Sequence, residues 1–430
     1  MTQIGSVPGN ADERCGPLAG VRILELGNFI AAPSAGRMLA EFGAEVIKVE
    51  QPGVGDQVRR WRLLRGETSM MWRTLARNKK SVTIDLHTAE GQELVRRLAG
   101  RADAVIENYR PGKLESWGLG PEQLRRDNPK LVVVRISGYG QTGPYRDRAG
   151  FGGVAEALGG LRFLTGHPDR SPTRVGVSLG DQLAGLHAVI GTLMGLWARD
   201  RASLEQGETV DVALHEAVFS VMEGLIPEYT AYGVVRERSG NEIPGVAPSN
   251  TYPCLDGEWV VIGGNANTLF QRLMIGIGRP DLAADERFAT PVGRYRHRGE
   301  LIGLLDVLFG SAPVDHWGPL LDGAGITWAP VAGLPDLVDD PQARANGMFA
   351  QVEHPELGTF ETLAAPFTMS RAEVAVRGPA PALGQHTDEV LGRFGIAADR
   401  IEALHESGVI AGADAGEVEA GRSRRGAHRP

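Results

Sequence analysis

Short aliphatic and β-branched runs alternate with helical stretches through the first third of the chain. The runs are 21–27, 44–50, 81–86, 102–109 and 131–140. Strands separated by helices predict a parallel sheet with helices on its faces. Ligands of such sheets bind beyond the carboxyl ends of the strands. We therefore expect a site in the tails that follow these strands, which are 27–32, 50–56, 108–112 and 137–143.

One later helix is far more apolar than the others and follows a glycine-rich run at 176–180. Its large apolar residues recur at three- and four-residue spacing and are Leu183, Leu186, Ile190, Leu193 and Trp197. A helix that is apolar on most faces is typical of a protein interior. We therefore expect this helix to be buried and the chain to be organised around it.

Asp181 lies at the entrance of this helix and fits two interpretations. Ser178 and Asp181 have the S-x-x-D spacing of a capping box, and an acidic residue in a first turn interacts favourably with the helix dipole. The alternative is a nucleophile, because the same dipole keeps the carboxylate ionised and Gly180 lets a substrate approach the backbone. The local pattern is compatible with both.

The length and composition predict an α/β protein of more than one domain. The chain has 430 residues, of which 42% are hydrophobic and 23% are charged, as is typical of a globular protein. We expect a Rossmann-like doubly wound parallel sheet in a large domain (18–225, completed by 345–410) and a smaller α+β domain (235–330). The segments 1–17 and 411–430 are expected to be flexible.

Several classes of protein are disfavoured by composition. Two cysteines, Cys15 and Cys254, form neither a disulfide framework nor a clustered metal site, so we expect a reducing cytoplasmic setting and no metal. Neither a signal peptide nor an apolar run of about 18 residues is visible, which disfavours a membrane partner. A net charge of −8 disfavours nucleic acid.

Three local features are candidates for ligand binding. The basic cluster in ARNKKSVTIDL (76–86) is either a solvated turn or a phosphate site formed by Lys79 with Arg77 or Lys80. Asn108 and Tyr109 end a strand at the expected ligand edge, where the Asn108 amide either meets a ligand or caps the 110–111 turn. The glycine pair at 263–264 follows a strand, where it is either a plain turn or a source of backbone N–H groups for an oxyanion.

Several motifs in one order resemble a known family. The motifs include ARNKKSVTIDLHTAEG, ADAVIENYRPGKLESWGLG, ISGYGQTGPYRDRAGF and VSLGDQLAGLHAVIGTL. They resemble the class III CoA-transferases, the family of formyl-CoA transferase, carnitine CoA-transferase and the bile-acid-inducible F protein. The resemblance covers about 18–410, and the order of the motifs makes it more specific than any single string.

The resemblance implies roles for individual residues. Asp181 is the implied catalytic aspartate, Lys79 and Asn108 are implied CoA contacts, and Gly263 and Gly264 are the implied mobile loop over the thioester. The resemblance also places Ala31 and Ala32 along the CoA tail. From the basic cluster and the strand end, we expect Arg77, Lys80 and Tyr109 to bind CoA as well. The resemblance implies that Trp61 lies on the substrate side, and we expect Phe151 to contact the substrate as well.

The sequence also departs from the family pattern. Gln51 and Ser116 stand where relatives carry basic CoA contacts, and Gly152 stands where the formyl-CoA enzymes carry an acidic residue. Nucleotide binding is therefore expected to be looser or differently partnered. Specificity for formate or oxalate is not expected.

The resemblance implies transfer of CoA from an acyl-CoA to a small carboxylic acid, through an anhydride and then a CoA thioester on Asp181. Backbone amides at 180–182 and 263–264 are the candidate oxyanion donors. It also implies an interlocked homodimer. One alternative is an α-methylacyl-CoA racemase, which carries a proton-transferring histidine where this chain has Phe151. Another is a non-catalytic acyl-CoA-binding protein, which would not need Asp181.

Overall fold

A computed structural model of the chain describes residues 16–66, 68–201, 206–354 and 357–413. They form two compact units. The first consists of the described parts of Met1–Leu161, Val175–Gly224 and Asn346–Pro430, and the second of Arg162–Arg174 and Leu225–Ala345. Residues 162–174 thus join the second unit, although they were predicted in the large domain. Most of the predicted flexible segments 1–17 and 411–430, Cys15 included, lies outside the described residues.

Strands and helices alternate along most of the described chain. The strands are β1 (Arg22–Glu25), β2 (Glu45–Glu50), β3 (Leu64–Arg65), β4 (Thr68–Ser69), β5 (Lys79–Thr83), β6 (Ala104–Glu107), β7 (Val132–Ser137), β8 (Thr209–Ala213), β9 (Asn250–Pro253), β10 (Trp259–Gly263), β11 (Thr327–Pro330), β12 (Phe349–His354) and β13 (Gly358–Leu363). The α-helices are α1 (Ala31–Glu41), α2 (Met70–Leu75), α3 (Ala89–Ala99), α4 (Lys113–Ser116), α5 (Pro121–Asp127), α6 (Gly152–Leu158), α7 (Leu161–Leu164), α8 (Leu179–Arg201), α9 (Leu214–Phe219), α10 (Leu225–Tyr232), α11 (Asn267–Gly276), α12 (Pro280–Ala284), α13 (Pro291–Arg296), α14 (Arg298–Phe309), α15 (Val314–Gly323), α16 (Leu334–Asp339), α17 (Pro341–Ala345), α18 (Thr387–Arg393) and α19 (Ala398–Glu406).

The first unit is built on one six-stranded parallel sheet. Its strand order is β5-β2-β1-β6-β7-β8, and every neighbouring pair is parallel. Numbered along the chain, these six strands have the order 3-2-1-4-5-6 of the doubly wound Rossmann sheet. The predicted α/β class is therefore confirmed. In this topology the ligand crevice lies where the strand order reverses, between β1 and β6.

Helices cover both faces of the sheet. One apolar core lies between the sheet and helices α3, α5, α18 and α19, so the chain returns to this face after residue 345. The second core lies between the sheet and helices α1, α8 and α9. Burial on both faces explains the aliphatic and β-branched residues of the strands, and the charged strand residues Glu25 and Lys48 are buried as an ion pair.

Helix α8 packs on the sheet through its small residues. Ala184, Ala188 and Gly195 are buried, and a Cβ atom added at Gly195 would lie 2.7 Å from Cγ1 of Val132 in β7. Four large side chains point away from the sheet: Leu186, Ile190, Met194 and Trp197 are 46%, 54%, 60% and 60% exposed. The prediction that this helix is buried on most faces was therefore wrong. Its apolar residues form two faces: small residues together with Leu196 are covered, whereas the face of Ile190, Met194 and Trp197 is exposed.

The second unit has a smaller sheet of its own. Strands β9 and β10 form an antiparallel hairpin, with Gly257 in the left-handed region (φ +83°), and β11 pairs with β10 on its other side. Its core contains Tyr252 stacked on Phe309, with ring centroids 5.1 Å apart. In the ranges described for both units, no helix combines the length and the apolar character needed to cross a membrane.

Candidate active site

The loops that follow β1 and β6 are joined by one side chain at the reversal point of the sheet. Asn108 follows β6 directly. Its Oδ1 accepts a hydrogen bond from the backbone N–H of Asn28 at 2.8 Å, and its Nδ2 donates to the carbonyl of Asn28 at 2.8 Å. Asn108 thereby satisfies both backbone polar groups of Asn28. It acts as a structural bridge between the two loops as well as a candidate ligand contact.

A buried ionic network lies beneath this bridge. The Lys48 ammonium donates to the carbonyl of Gly27 at 2.6 Å and pairs with Glu25 at 3.0 Å and Asp56 at 2.9 Å. Burial alone would lower the pKa of Lys48, but Asp56 and Glu25 raise it above its ordinary value. Asp56 also accepts the backbone N–H of Phe29, which has a φ of +61°. Such a backbone persists in a non-glycine residue only where its surroundings hold it.

Asp181 lies in the first turn of α8 and is half-buried. A Cβ atom added at Gly152, the first residue of α6, would lie 2.1 Å from Oδ2 of Asp181. The carboxylate therefore rests against the backbone of Gly152, and any side chain there would displace it. This contact gives a physical reason for glycine at position 152.

The candidate oxyanion donors divide between the two units. The Gly180 N–H donates to Oε1 of Glu156 at 3.3 Å, and the Gln182 N–H donates to the carbonyl four residues before it at 3.1 Å. Both amides therefore already have protein acceptors. Gly263 ends β10 opposite Thr327, and Gly264 follows it in the second unit. The role of this glycine pair over a thioester stays a prediction.

One cavity of the first unit, which we call the Asp181 cavity, collects most of the predicted site residues. Its lining includes Asp181, Ala31, Trp61, Asn108, Tyr109 and Phe151. The Trp61 ring meets the Phe29 ring edge-on, with centroids 6.1 Å apart. Ala31 lines the cavity, whereas the next residue, Ala32, is fully buried and is not part of the lining. The residues come from the segments that follow β1, β2, β6 and β7 and from the start of α8.

Two arginines of the same cavity were missed by sequence reasoning. Arg110 and Arg148 both line it and both are exposed. Arg110 lies in the 108–112 tail, and a ligand site is expected beyond the carboxyl end of a strand. This expectation, which we call the strand-end rule, therefore pointed to Arg110. Arg148 lies beyond the 137–143 tail, so the strand-end rule did not point to it. It is, however, part of ISGYGQTGPYRDRAGF, a motif of the family resemblance.

A second cavity, which we call the Trp117 cavity, shares Tyr109 with the first. It includes Gln51, Tyr109, Lys113 and Trp117 among its lining. The Trp117 ring meets Tyr109 edge-on at 5.2 Å between centroids, and the Lys113 ammonium lies 4.3 Å from the Trp117 centroid. Burial raises the pKa of Tyr109 to about 12, so its phenol stays protonated at neutral pH. Lys113 supplies a cation close in sequence to Ser116, the residue that stands where the family pattern has a basic CoA contact.

The basic cluster around Lys79 lies elsewhere. Lys79 begins β5, so it is at the amino end of the strand, whereas the two cavities lie at the carboxyl ends. Its ammonium is fully buried, 2.6 Å from Glu25 and 2.7 Å from the carbonyl of Pro33. Burial lowers its pKa to about 8. This geometry argues against contact between Lys79 and a CoA phosphate.

The two neighbouring cations are held in the same way. Arg77 is buried and pairs with Glu41. Lys80 pairs with Glu389 at 2.6 Å. Both cations therefore form ion pairs with carboxylates of the protein in this structure. Their predicted role in CoA binding is not supported by their positions.

The fold and the cavity define a class of protein. A carboxylate lines an open cavity at the reversal point of a doubly wound sheet, next to a second cavity with aromatic and basic walls. This combination is typical of an α/β enzyme whose carboxylate acts on a bound substrate.

Comparison with known proteins identifies the family. Residues 18–387 match the family model of CoA-transferase family III, and the chain belongs to this family. It is 47% identical over 397 residues to a succinyl-CoA–D-citramalate CoA-transferase of Chloroflexus aurantiacus, covering 92% of this chain and 98% of that protein. It is 32% identical over 376 residues to the human succinyl-CoA:glutarate CoA-transferase, covering 87% and 85%.

Solved structures agree with the sequence comparisons. A CAIB/BAIF family protein from Brucella suis superposes with a TM-score of 0.81 at 34% identity, covering 88% of this chain and all of that one. The family resemblance found in the sequence is therefore confirmed. The chain is a family III CoA-transferase, an enzyme that moves CoA between an acyl-CoA and an acid.

Proposed function

We propose that Asp181 carries the transferred groups covalently as CoA passes from an acyl-CoA donor to a carboxylic acid. The observation that supports this most directly is the Asp181 carboxylate in the wall of a cavity that also contains Asn108, Tyr109 and Trp61. A mere helix cap would not need an open cavity around its carboxylate. The nucleophile interpretation of Asp181 is therefore the one that we favour.

The proposed reaction has two symmetrical halves. An Asp181 oxygen attacks the thioester carbonyl, the C–S bond breaks, and CoA leaves as a thiolate from an aspartyl–acyl anhydride. The thiolate then attacks the aspartyl carbonyl, which releases the donor acid as a carboxylate and leaves an aspartyl-CoA thioester. The acceptor carboxylate attacks this thioester and expels the thiolate again. The thiolate finally attacks the acceptor's acyl carbonyl, which forms the new acyl-CoA and restores Asp181.

This sequence of steps requires that CoA stays in place. A thiol has a pKa near 8.5 and a carboxyl group one near 3.9, so making an anhydride and a thiolate is uphill by about 6 kcal/mol if leaving ability follows pKa alone. A tethered thiolate returns in an intramolecular step, which compensates for this barrier. We propose that the nucleotide end of CoA lies in the Trp117 cavity, with Lys113 at a phosphate and Tyr109 beside the chain that leads to Asp181.

The substrates are proposed from the relatives. Two relatives are named for succinyl-CoA as donor and for citramalate or glutarate as acceptor. We propose succinyl-CoA as the donor and a small dicarboxylic acid as the acceptor for this chain. The departures at Gln51, Ser116 and Gly152 do not conflict with such substrates.

The homodimer is also a proposal. The exposed apolar face of α8 supports it, because Ile190, Met194 and Trp197 form a continuous stripe of the kind that subunit interfaces bury. Sedimentation of the wild type and of Trp197→Lys tests it: a dimer that weakens in the variant is expected, and a monomeric wild type would refute it. The interlocked arrangement and the cytoplasmic location stay predictions.

The proposed function is tested with succinyl-CoA and a panel of carboxylic acids, the CoA products being identified by mass spectrometry. Asp181→Asn should abolish transfer, whereas Asp200→Asn, a change at the exposed far end of α8, should retain it. Transfer that persists in Asp181→Asn would refute the proposal. Deuterium uptake at the α-carbon of an acyl-CoA without CoA exchange would instead favour the racemase alternative.

A further inference from the structure

Arg110 and Arg148 line the Asp181 cavity and have no acidic partner among the described residues. Across residues 16–66, 68–201, 206–354 and 357–413, neither guanidinium forms an ion pair. By contrast, Arg59 pairs with Glu50 and Arg135 pairs with Glu107. The two cations that line the Asp181 cavity are therefore available to an anionic ligand.

The two side chains come from neighbouring strands. Arg110 follows β6 by three residues, and Arg148 lies between β7 and α6, so both extend from the carboxyl edge of the sheet. The Arg148 guanidinium lies 3.8 Å from the Tyr145 ring centroid, and its backbone N–H donates to the Tyr145 carbonyl at 2.9 Å. This stacking holds the planar group in position before a ligand arrives.

The charge in the cavity also matters for an anionic substrate. The protein carries a net charge of −8, and Asp181 adds a carboxylate to the cavity wall. Both repel an incoming acid. A carboxylic acid therefore needs local cations to enter, and guanidinium groups match the geometry of a carboxylate through paired N–H donors.

A dicarboxylic substrate has one carboxyl group that reacts and one that does not. We propose that Arg110 and Arg148 bind the non-reacting carboxylate and so select dicarboxylic acids over monocarboxylic ones. This inference rests on the proposed function. In that reaction the donor and the acceptor meet the same Asp181 in turn, so one pair of arginines serves both. A monocarboxylic acid has no second charge to place there and loses the selective contact.

The test compares two acceptors that differ in one charge. Succinyl-CoA is held at saturation, and kcat/KM is measured for glutarate and for monomethyl glutarate, in which one carboxylate is esterified. In a ping-pong reaction this quantity reports only the acceptor half. Glutarate should be preferred by the wild type at least about 100-fold. Arg110→Gln and Arg148→Gln should each lower kcat/KM for glutarate about 10- to 100-fold, the range expected for hydrogen bonds to a charged group.

The same variants should leave kcat/KM for monomethyl glutarate within about threefold of the wild type, which a general loss of structure would not do. Arg146→Gln is the matched control, because Arg146 lies on the same loop but faces Asp147 at 3.6 Å. It should behave as the wild type with both acceptors. Equal preference in the wild type, or preference retained in Arg110→Gln and Arg148→Gln, would overturn the inference.

A binding measurement separates this inference from the proposed function. Glutarate is titrated calorimetrically into the wild type and into both arginine variants without any CoA donor. Binding that is at least tenfold weaker in the variants supports the arginine pair even if no acid is converted, in which case only the proposed function fails. Equal affinity in all three proteins would overturn the arginine pair even if CoA transfer is observed.

Discussion

Replacing Gly152 by alanine is predicted to displace the Asp181 carboxylate without changing its charge. The added Cβ atom would lie 2.1 Å from Oδ2 and 2.6 Å from Cγ of Asp181, distances that two non-bonded atoms do not adopt. The carboxylate is the end of a short side chain, so it must rotate away by about 1 Å to reach van der Waals distance. The three atoms nearest to the added Cβ all belong to Asp181, so the perturbation falls first on the proposed nucleophile.

The expected effect is large on rate and small on stability. A misplacement of about 1 Å reduces turnover by about 100-fold, equivalent to about 2.7 kcal/mol of transition-state stabilisation. The rotated side chain costs about 1 kcal/mol, and alanine in a helix regains a similar amount relative to glycine. We therefore expect Gly152→Ala to lose kcat and to keep its unfolding free energy within about 1 kcal/mol.

The assay measures kcat and KM with succinyl-CoA together with urea unfolding. Gly392→Ala is the matched control, because Gly392 also lies in a helix of the first unit and a Cβ atom there meets no neighbour within 4 Å. The control should retain full activity. A Gly152→Ala enzyme with kcat within twofold of the wild type would refute the reasoning, because the carboxylate position would then not limit the rate.

Three further changes probe the ionic network, the loop bridge and a buried carboxyl group. Lys79→Met should lower the melting temperature, because Glu25 loses a buried partner, and should leave KM for acyl-CoA within about twofold in steady-state kinetics. Asn108→Ala should lower kcat/KM about tenfold, because two hydrogen bonds to Asn28 are lost. Glu107→Gln tests pH dependence: burial raises the pKa of Glu107 to about 7, so the folded protein retains a proton that the unfolded chain releases near 4.5. The stability of the wild type relative to this variant should fall by up to about 3 kcal/mol from pH 4.5 to 7 in urea unfolding.

Each of these expectations has a contrary result. A tenfold rise in KM for Lys79→Met with an unchanged melting temperature would restore its predicted phosphate role. Full kcat/KM in Asn108→Ala would mean that the bridge to Asn28 does not position the site. A stability difference for Glu107→Gln that is constant with pH would mean that this carboxyl group ionises normally despite its burial.

The sheet could be predicted from the sequence because its signals are local. The run 44–50 became β2 (Glu45–Glu50), and the run 81–86 overlaps β5 (Lys79–Thr83). Buried parallel strands are rich in aliphatic and β-branched residues, and the helices between them indicate parallel strands. The strand-end rule then placed residues of all four expected tails around the two cavities.

Long-range pairing could not be predicted in the same way. The Lys79 cluster is basic in sequence, but the carboxylates that neutralise Lys79 and Arg77 are Glu25 and Glu41, which are 54 and 36 positions away. The apolar residues of α8 indicated a helix that packs, yet they did not indicate that glycine and alanine would face the sheet. Close approach of a helix to a sheet favours small residues, so the large ones are left on the outer face.

Covalent transfer through Asp181 can be read from the mass of the peptide that contains this residue. The enzyme is mixed with succinyl-CoA in the absence of acceptor, quenched in acid, digested and analysed by mass spectrometry. We predict a peptide that carries CoA as a thioester on Asp181 and that disappears on addition of an acceptor acid or hydroxylamine. CoA exchange at a normal rate with no adduct on Asp181, or with the adduct on another residue, would contradict a covalent role for this carboxylate.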